Sequence, residues 1–217
     1  MLSRRWMAVA LAGVLVAAGA AAFAFTRPET GPRPAVFRGE PTSALYEPIA
    51  TRRGDPRPLS EQEVFGATAR LASSGVTMVR RQVTVSRDCA EALWGEGPSA
   101  AVAGCAQVVR AGFISEDGGV SGQYAVFDLP DGAAADKLVA ALDPRRGDGF
   151  LRLAPGQPRS FDAGHSRADV RAVGHFVVVN WVGPVADEGG SADLISPQLA
   201  LETLGAFVQQ RVLAAAG

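Results

Sequence analysis

The sequence is poor in lysine and in the side chains that bind transition metals. Lys137 is its one lysine, and its 217 residues include two histidines and two cysteines. These are too few soft ligands for a self-contained zinc finger or iron–sulfur domain. The formal net charge is -1, without the basic excess of a nucleic-acid-binding surface. We therefore expect no metal site, no cofactor and no nucleic-acid partner.

An uncharged apolar run, Met7–Phe25, follows Arg4 and Arg5 near the start of the chain. As a helix this run would span about 28 Å, close to the hydrocarbon thickness of a membrane. Arginines in front of it predict a cytoplasmic N-terminus. We expect residues 1–25 to form one transmembrane signal anchor, with the rest of the chain outside the cytoplasm. The alternative is a cleaved signal peptide and a secreted protein, because Ala-Phe-Ala at 22–24 offers a small-x-small cleavage site.

Prolines are concentrated directly after the predicted anchor. Seven of the 14 prolines fall between Pro28 and Pro58, among arginines and few periodic apolar residues. This composition predicts a semi-rigid extracytoplasmic linker over residues 26–58. Short apolar groups at 36–37 and 44–46 could dock on the domain or on a partner, but a plain linker is the simpler interpretation.

Residues 59–217 alternate between strand and helix patterns. Ser60 and Glu63 form a capping box at the start of a first helix. Strands are predicted at 77–85, 107–115, 120–129, 150–153, 168–173 and 176–182, and helices at 88–94, 133–142 and from Ser196 onward. This order predicts an α+β domain with a mostly antiparallel sheet and helices packed on one face, a split βαβ-like arrangement with additions.

Cys89 and Cys105 are an even pair in a domain that we expect outside the cytoplasm. Oxidising surroundings favour a disulfide between them. Redox-active pairs are usually spaced Cys-x-x-Cys at a helix start, and this pair is not. We therefore predict a structural disulfide.

The segment GHSRA at 164–168 approaches the nucleophile-elbow pattern of serine hydrolases. Its last residue is alanine where the pattern has glycine, and a strand pattern follows where the elbow needs a helix. His165 and His175 could join a carboxylate around a metal, but their spacing does not place them on one face. We predict no catalytic residues.

A ligand site is predicted on one face of the sheet. Alternation in the strand 176–182 puts Asn180 on a face that is otherwise apolar. A buried amide must find a hydrogen bond, so Asn180 is either a pocket residue or a satisfied core residue. Tyr124 and Arg110, on the preceding predicted hairpin, could line the same face. Arg110, Tyr124 and Asn180 are therefore the candidate ligand-binding residues.

A common pattern is formed by Cys89 and Cys105, VVRAGFIS at 108–115, DG at 117–118 and QYAVFDL at 123–129. In this layout the chain resembles a family of uncharacterised exported, membrane-tethered α+β domains from high-GC Gram-positive bacteria. This resemblance covers roughly residues 60–213. The resemblance implies an extracytoplasmic domain and no catalytic residues.

Charge is divided unevenly along the chain. Residues 1–25 and 26–60 each carry +2, whereas residues 61–217 carry -5. A basic tether suits anionic lipid headgroups or wall polymers nearby. We expect a membrane-anchored extracytoplasmic accessory or binding domain that is not an enzyme and that works with an envelope protein or wall partner. The alternatives are a hydrolase-type envelope enzyme without a recognisable motif and a structural component of an envelope assembly.

Overall fold

The computed structural model describes residues 31–185 and 192–217. The strands are β1 Val36–Glu40, β2 Arg70–Ser73, β3 Val76–Ser86, β4 Leu93–Trp94, β5 Gln107–Ser115, β6 Val120–Asp128, β7 Phe150–Leu151, β8 Arg167–Val173 and β9 Phe176–Pro184. The α-helices are α1 Glu61–Phe65, α2 Glu96–Ala101, α3 Gly132–Ala141, α4 Ile195–Glu202 and α5 Ala206–Ala216. Short 3₁₀ helices span Ala44–Ile49, Cys89–Ala92, Ala163–His165 and Thr203–Gly205.

The predicted anchor Met7–Phe25 lies outside the described residues. Within 31–185 and 192–217, no helix combines the length and the apolar character needed to cross a membrane.

Seven strands form the main sheet, in the order β1-β8-β9-β6-β5-β3-β2. β1 runs parallel to β8, and the other neighbours in this sheet are antiparallel. The short strands β4 and β7 pair separately. The predicted mixed α+β fold with a mostly antiparallel sheet is confirmed.

Helices cover both faces of this sheet, so the prediction of helices on one face is wrong. α3 packs Leu138 into one core with Val179 and Trp181. α4 and α5 pack Leu201 and Phe207 into a second core on the opposite face. The physical reason lies in the central strands, because every residue of β6 is buried. A strand that is buried on both sides requires a cover on both sides.

The region predicted as linker contributes to the domain from β1 onward. β1 forms the edge of the sheet, with Val36 opposite Arg167. Ile49 is fully buried, and its carbonyl oxygen would lie 2.3 Å from a Cβ built on Gly174. Glycine, with a φ of 68°, is therefore required where this segment contacts the β8–β9 turn. The segment from 36 to 58 belongs to the domain because β1 pairs with β8 and Ile49 is buried against the β8–β9 turn, which corrects the predicted boundary at 59.

Local signals are confirmed at several helix starts and wrong at one. The Ser60 hydroxyl accepts a hydrogen bond from the Glu63 amide at 3.1 Å, and the Asp131 carboxylate accepts one from the Ala134 amide at 2.8 Å. Ser196 is not the cap of α4. The Asp193 carboxylate accepts from the Ile195 amide at 2.8 Å instead, because aspartate three residues before Ser196 reaches the free amides first.

The disulfide between Cys89 and Cys105 is present, with the two Cα atoms 6.3 Å apart. It closes a loop that contains β4 and α2. This loop places Trp94 and Leu93 in the core that α3 covers. The predicted structural disulfide is confirmed.

Candidate functional site

A cavity of about 650 Å³ lies between the sheet and the C-terminal helices. Its walls come from the 3₁₀ helix Ala44–Ile49, from strands β6, β8 and β9, from the segment that joins α4 to α5, and from α5 itself. This volume is within the range of small-molecule sites in proteins. The cavity exists because the helix that the sequence predicts from Ser196 onward is interrupted. Three residues of 3₁₀ helix, Thr203–Gly205, separate α4 from α5 and leave space over the sheet.

Tyr124 forms the floor of this cavity. Its side chain is fully buried, and its ring packs edge-on against Phe65 with centroids 6.4 Å apart. Its hydroxyl has no hydrogen-bond partner. A Cβ built on Gly205 would lie 3.7 Å from this hydroxyl, which is an ordinary van der Waals distance. The phenol oxygen therefore lies directly beneath the helix break.

Burial raises the pKa of the Tyr124 phenol well above its ordinary range, and the negative charge of Glu202 adds to this effect. The group is consequently neutral at physiological pH. A neutral phenol can both donate and accept a hydrogen bond.

A polar network stands beside the phenol. Arg171 of β8 forms an ion pair with Glu202 at the end of α4, and both side chains line the cavity. Asn180 donates hydrogen bonds from Nδ2 to Glu202 Oε1 at 2.8 Å and to the Gln198 carbonyl oxygen at 2.9 Å. Asn180 therefore fixes the carboxylate that holds Arg171. It is a positioning residue behind the wall of the cavity.

The mouth of the cavity carries both apolar and polar side chains. Leu45 and Leu213 line it at 70% and 74% exposure, and Thr203 and Gln209 are exposed lining residues beside them. The Tyr124 hydroxyl is thus the buried polar group of the floor, and the two leucines are the exposed apolar groups of the rim.

The three candidate residues from the sequence do not form one cluster. Tyr124 and Asn180 are direct neighbours across β6 and β9, so they share a face as predicted. Arg110 is opposite Ala125, whereas Tyr124 is opposite Ala111. Because directly paired residues share a face and consecutive residues alternate, Arg110 lies on the other side of the sheet.

Arg110 has a separate environment on that other face. Its Nη1 donates to the Arg152 carbonyl oxygen at 3.2 Å, and Gln123 Nε2 donates to the same oxygen at 3.2 Å. Burial lowers the pKa of the Arg110 guanidinium, and this effect is partly opposed by Glu91. The side chain holds the segment after β7 on the sheet. Its place in a common ligand site is therefore corrected.

The serine of GHSRA is used structurally. Ser166 is buried, and its Oγ accepts a hydrogen bond from Trp181 Nε1 at 2.7 Å and donates to the Ala163 carbonyl oxygen at 2.8 Å. The neighbouring His165 is exposed, and its Nδ1 lies 2.6 Å from Asp162 Oδ2. The hydroxyl thus positions the indole of Trp181, in contact with Phe150 in the core.

The two histidines have different environments. His175 is fully buried, with Nδ1 2.8 Å from the Ile49 carbonyl oxygen, whereas His165 is on the surface. Among the residues that the structure describes, no three histidine, cysteine or carboxylate side chains are placed to hold a metal ion.

We compared the chain with protein-family models, curated proteins and solved structures, and none of them matches it.

Several residues of the site were missed by sequence reasoning. Arg171 and Glu202 look like ordinary surface charges in their own segments, and their pairing depends on where α4 lies over the sheet. Leu45 lies in the short apolar group at 44–46, within the segment predicted as a plain linker. Gly205 inside an apolar helical pattern was the available signal for the helix break.

Proposed function

We propose that this chain is a membrane-anchored, extracytoplasmic domain that binds a small amphipathic molecule in the cavity above Tyr124, without catalysis. The apolar run Met7–Phe25 behind two arginines supports the anchor and its orientation. The Cys89–Cys105 disulfide suits an oxidising compartment outside the cytoplasm. In this account, the protein presents or senses its ligand for an envelope partner.

One observation carries the binding proposal: the fully buried Tyr124 hydroxyl faces the cavity without a hydrogen-bond partner. Buried polar groups in folded proteins are almost always paired, and an unpaired one costs about 1–3 kcal/mol. Phenylalanine would fill the same ring position without that cost. A tyrosine here is explained if a ligand supplies the missing partner.

Binding is favoured over catalysis by the state of the surrounding groups. The raised pKa of Tyr124 keeps its phenol neutral, so it does not serve as a base. Glu202 is held by Arg171 and by Asn180. A catalytic acid or base near its working pH needs a proton that it can exchange, and neither group is arranged for that exchange.

A fluorescent probe tests whether the cavity binds ligands. N-phenyl-1-naphthylamine is neutral and apolar, and it becomes bright when it leaves water. We expect saturable fluorescence with the full chain in phosphatidylcholine nanodiscs. Gly205→Phe should abolish it, because the new ring enters the space above Tyr124 and the φ of -67° at Gly205 accepts any side chain.

Ala215→Phe is the matched control, because it adds the same ring to an exposed position of α5. This variant should bind the probe as the wild type does. Equal fluorescence from the wild type and the Gly205→Phe variant would contradict the binding proposal, since the signal would then come from lipid or from the protein surface.

The anchor is tested by membrane fractionation. The full chain with an N-terminal tag should stay in the membrane pellet after alkaline carbonate extraction. Protease added outside intact cells should remove the domain and leave the tag protected. Release of a shortened chain into the medium would instead indicate a cleaved signal peptide.

A further inference from the structure

The net charge of the residues that line the cavity affects which ligands it can bind. Among its described lining residues, Arg171 and Glu202 carry the formal charges, and they are paired with each other. Their charges sum to zero. An ionised ligand group placed on the floor would be removed from water without a free counter-ion, which is strongly unfavourable. A carboxylate or phosphate would meet the repulsion of Glu202 together with the attraction of Arg171, and an ammonium group the reverse, so neither ion gains a net counter-charge.

The positions of the Tyr124 hydroxyl and of the two exposed leucines indicate how a ligand is oriented in the cavity. The unpaired hydroxyl of Tyr124 is on the floor, at 0% exposure. Leu45 and Leu213, at 70% and 74% exposure, are at the mouth, beside the exposed polar side chains of Thr203 and Gln209. The buried walls include Val178 and Val208. A ligand whose polar group bonds to the Tyr124 hydroxyl places its hydrocarbon part against these valines and toward the two leucines.

We infer that the cavity selects an uncharged amphiphile whose hydroxyl or carbonyl group bonds to Tyr124 Oη and whose hydrocarbon body extends past Leu45 and Leu213. A hydroxyl both donates to and accepts from the phenol, and a carbonyl accepts from it. This inference rests on the proposed function, and it adds the charge class and the orientation of the ligand.

The test compares probes that differ in charge. The full chain is placed in phosphatidylcholine nanodiscs, with Gly205→Phe in the same nanodiscs as the blank. N-phenyl-1-naphthylamine is displaced with decan-1-ol, decanoate or decylammonium. The account predicts that decan-1-ol competes at least tenfold better than either ion. Direct binding of 1-anilinonaphthalene-8-sulfonate, the same skeleton with a sulfonate, should likewise be at least tenfold weaker.

Variants separate the hydrogen bond from the charge balance. Tyr124→Phe keeps the ring and should weaken decan-1-ol about fivefold, because one hydrogen bond is lost. Glu202→Gln leaves Arg171 without its carboxylate partner and should make decanoate bind better than decylammonium. Arg171→Gln should favour decylammonium instead. Thermal melting of each variant shows whether it is folded.

The outcomes for the two proposals are distinct. Loss of all probe binding in the wild type, or binding unaffected by Gly205→Phe, overturns the proposed function. Cavity-dependent binding in which decanoate or decylammonium competes as well as decan-1-ol overturns the charge selection alone. Equal affinity of decan-1-ol for the wild type and Tyr124→Phe overturns the inward orientation of the polar group.

Discussion

The Arg211 side chain links the C-terminal helix to α1 and to the segment before it, and its replacement should destabilise the folded domain. Its side chain is 1% exposed. The guanidinium donates to Glu63 at 2.6 and 2.5 Å, to Asp55 at 2.8 Å, and to the carbonyl oxygens of Arg57 at 2.7 Å and Pro58 at 3.2 Å. Both carboxylates and both carbonyls lose this partner in Arg211→Met.

The magnitude follows from burial. Breaking a buried ion pair by removing one partner costs about 3–5 kcal/mol, because the other charge stays buried. Asp55 is 4% exposed, but Arg57 Nε lies 3.6 Å from it and partly replaces the lost charge. We therefore expect a loss of about 3 kcal/mol, at the low end of that range. With a urea dependence of about 2 kcal/mol per molar, the midpoint should fall by about 1.5 M.

The assay is urea unfolding of the full chain with its disulfide intact, followed by tryptophan fluorescence. Arg57→Met is the matched control, because its side chain is 60% exposed and its loss should cost less than about 1 kcal/mol. Adding Asp55→Asn to Arg211→Met should restore part of the stability, since the stranded charge is removed. If Arg211→Met costs no more than the control, the assignment of residues 55–63 to the folded domain is refuted.

Three further predictions concern stability. Replacing Cys89 and Cys105 together by serine should lower the free energy of unfolding by about 3 kcal/mol for a loop of this length. The melting temperature measures this loss, and an unchanged melting temperature would contradict it. Asp131→Ala should cost about 1 kcal/mol through the lost cap of α3, whereas an effect below about 0.3 kcal/mol in urea unfolding would show that the cap is unimportant. Burial lowers the pKa of His175 below its ordinary value. As the pH drops, the unfolded chain therefore takes up a proton on this histidine before the folded chain does. The stability of the folded chain should consequently fall as the pH drops from about 6.5 toward the pKa of the folded state. His175→Gln should flatten this fall and the exposed His165→Gln should not, so identical pH profiles would contradict the account.

Much of the sheet could be predicted because its signals are local. β5 begins and ends at the predicted residues 107 and 115, and the glycine turn after it pairs β5 with β6 as expected. β1 could not be predicted in the same way. Its partner β8 is more than 120 residues away, and an edge strand with alternating charges shows no apolar period. Its place depends on the rest of the fold.

The candidate site, like the sheet, could be predicted only where its signals are local. Alternation placed Asn180 on its face, and register with Tyr124 then followed from antiparallel pairing. The same alternation, applied across β5, would have separated Arg110 from Tyr124 once the register was known. The pairing of Arg171 with Glu202 was beyond local reasoning, because it requires the position of α4 over the sheet.

The most direct test of the central claim observes the Tyr124 hydroxyl itself. The chain has two tyrosines, so ¹³Cζ-tyrosine labelling gives two NMR signals, and Tyr124→Phe identifies one of them. The account predicts that decan-1-ol shifts the Tyr124 signal saturably in the wild type and in Ala215→Phe, and leaves it unchanged in Gly205→Phe. A Tyr124 signal that does not move at saturating decan-1-ol in the wild type would contradict the account.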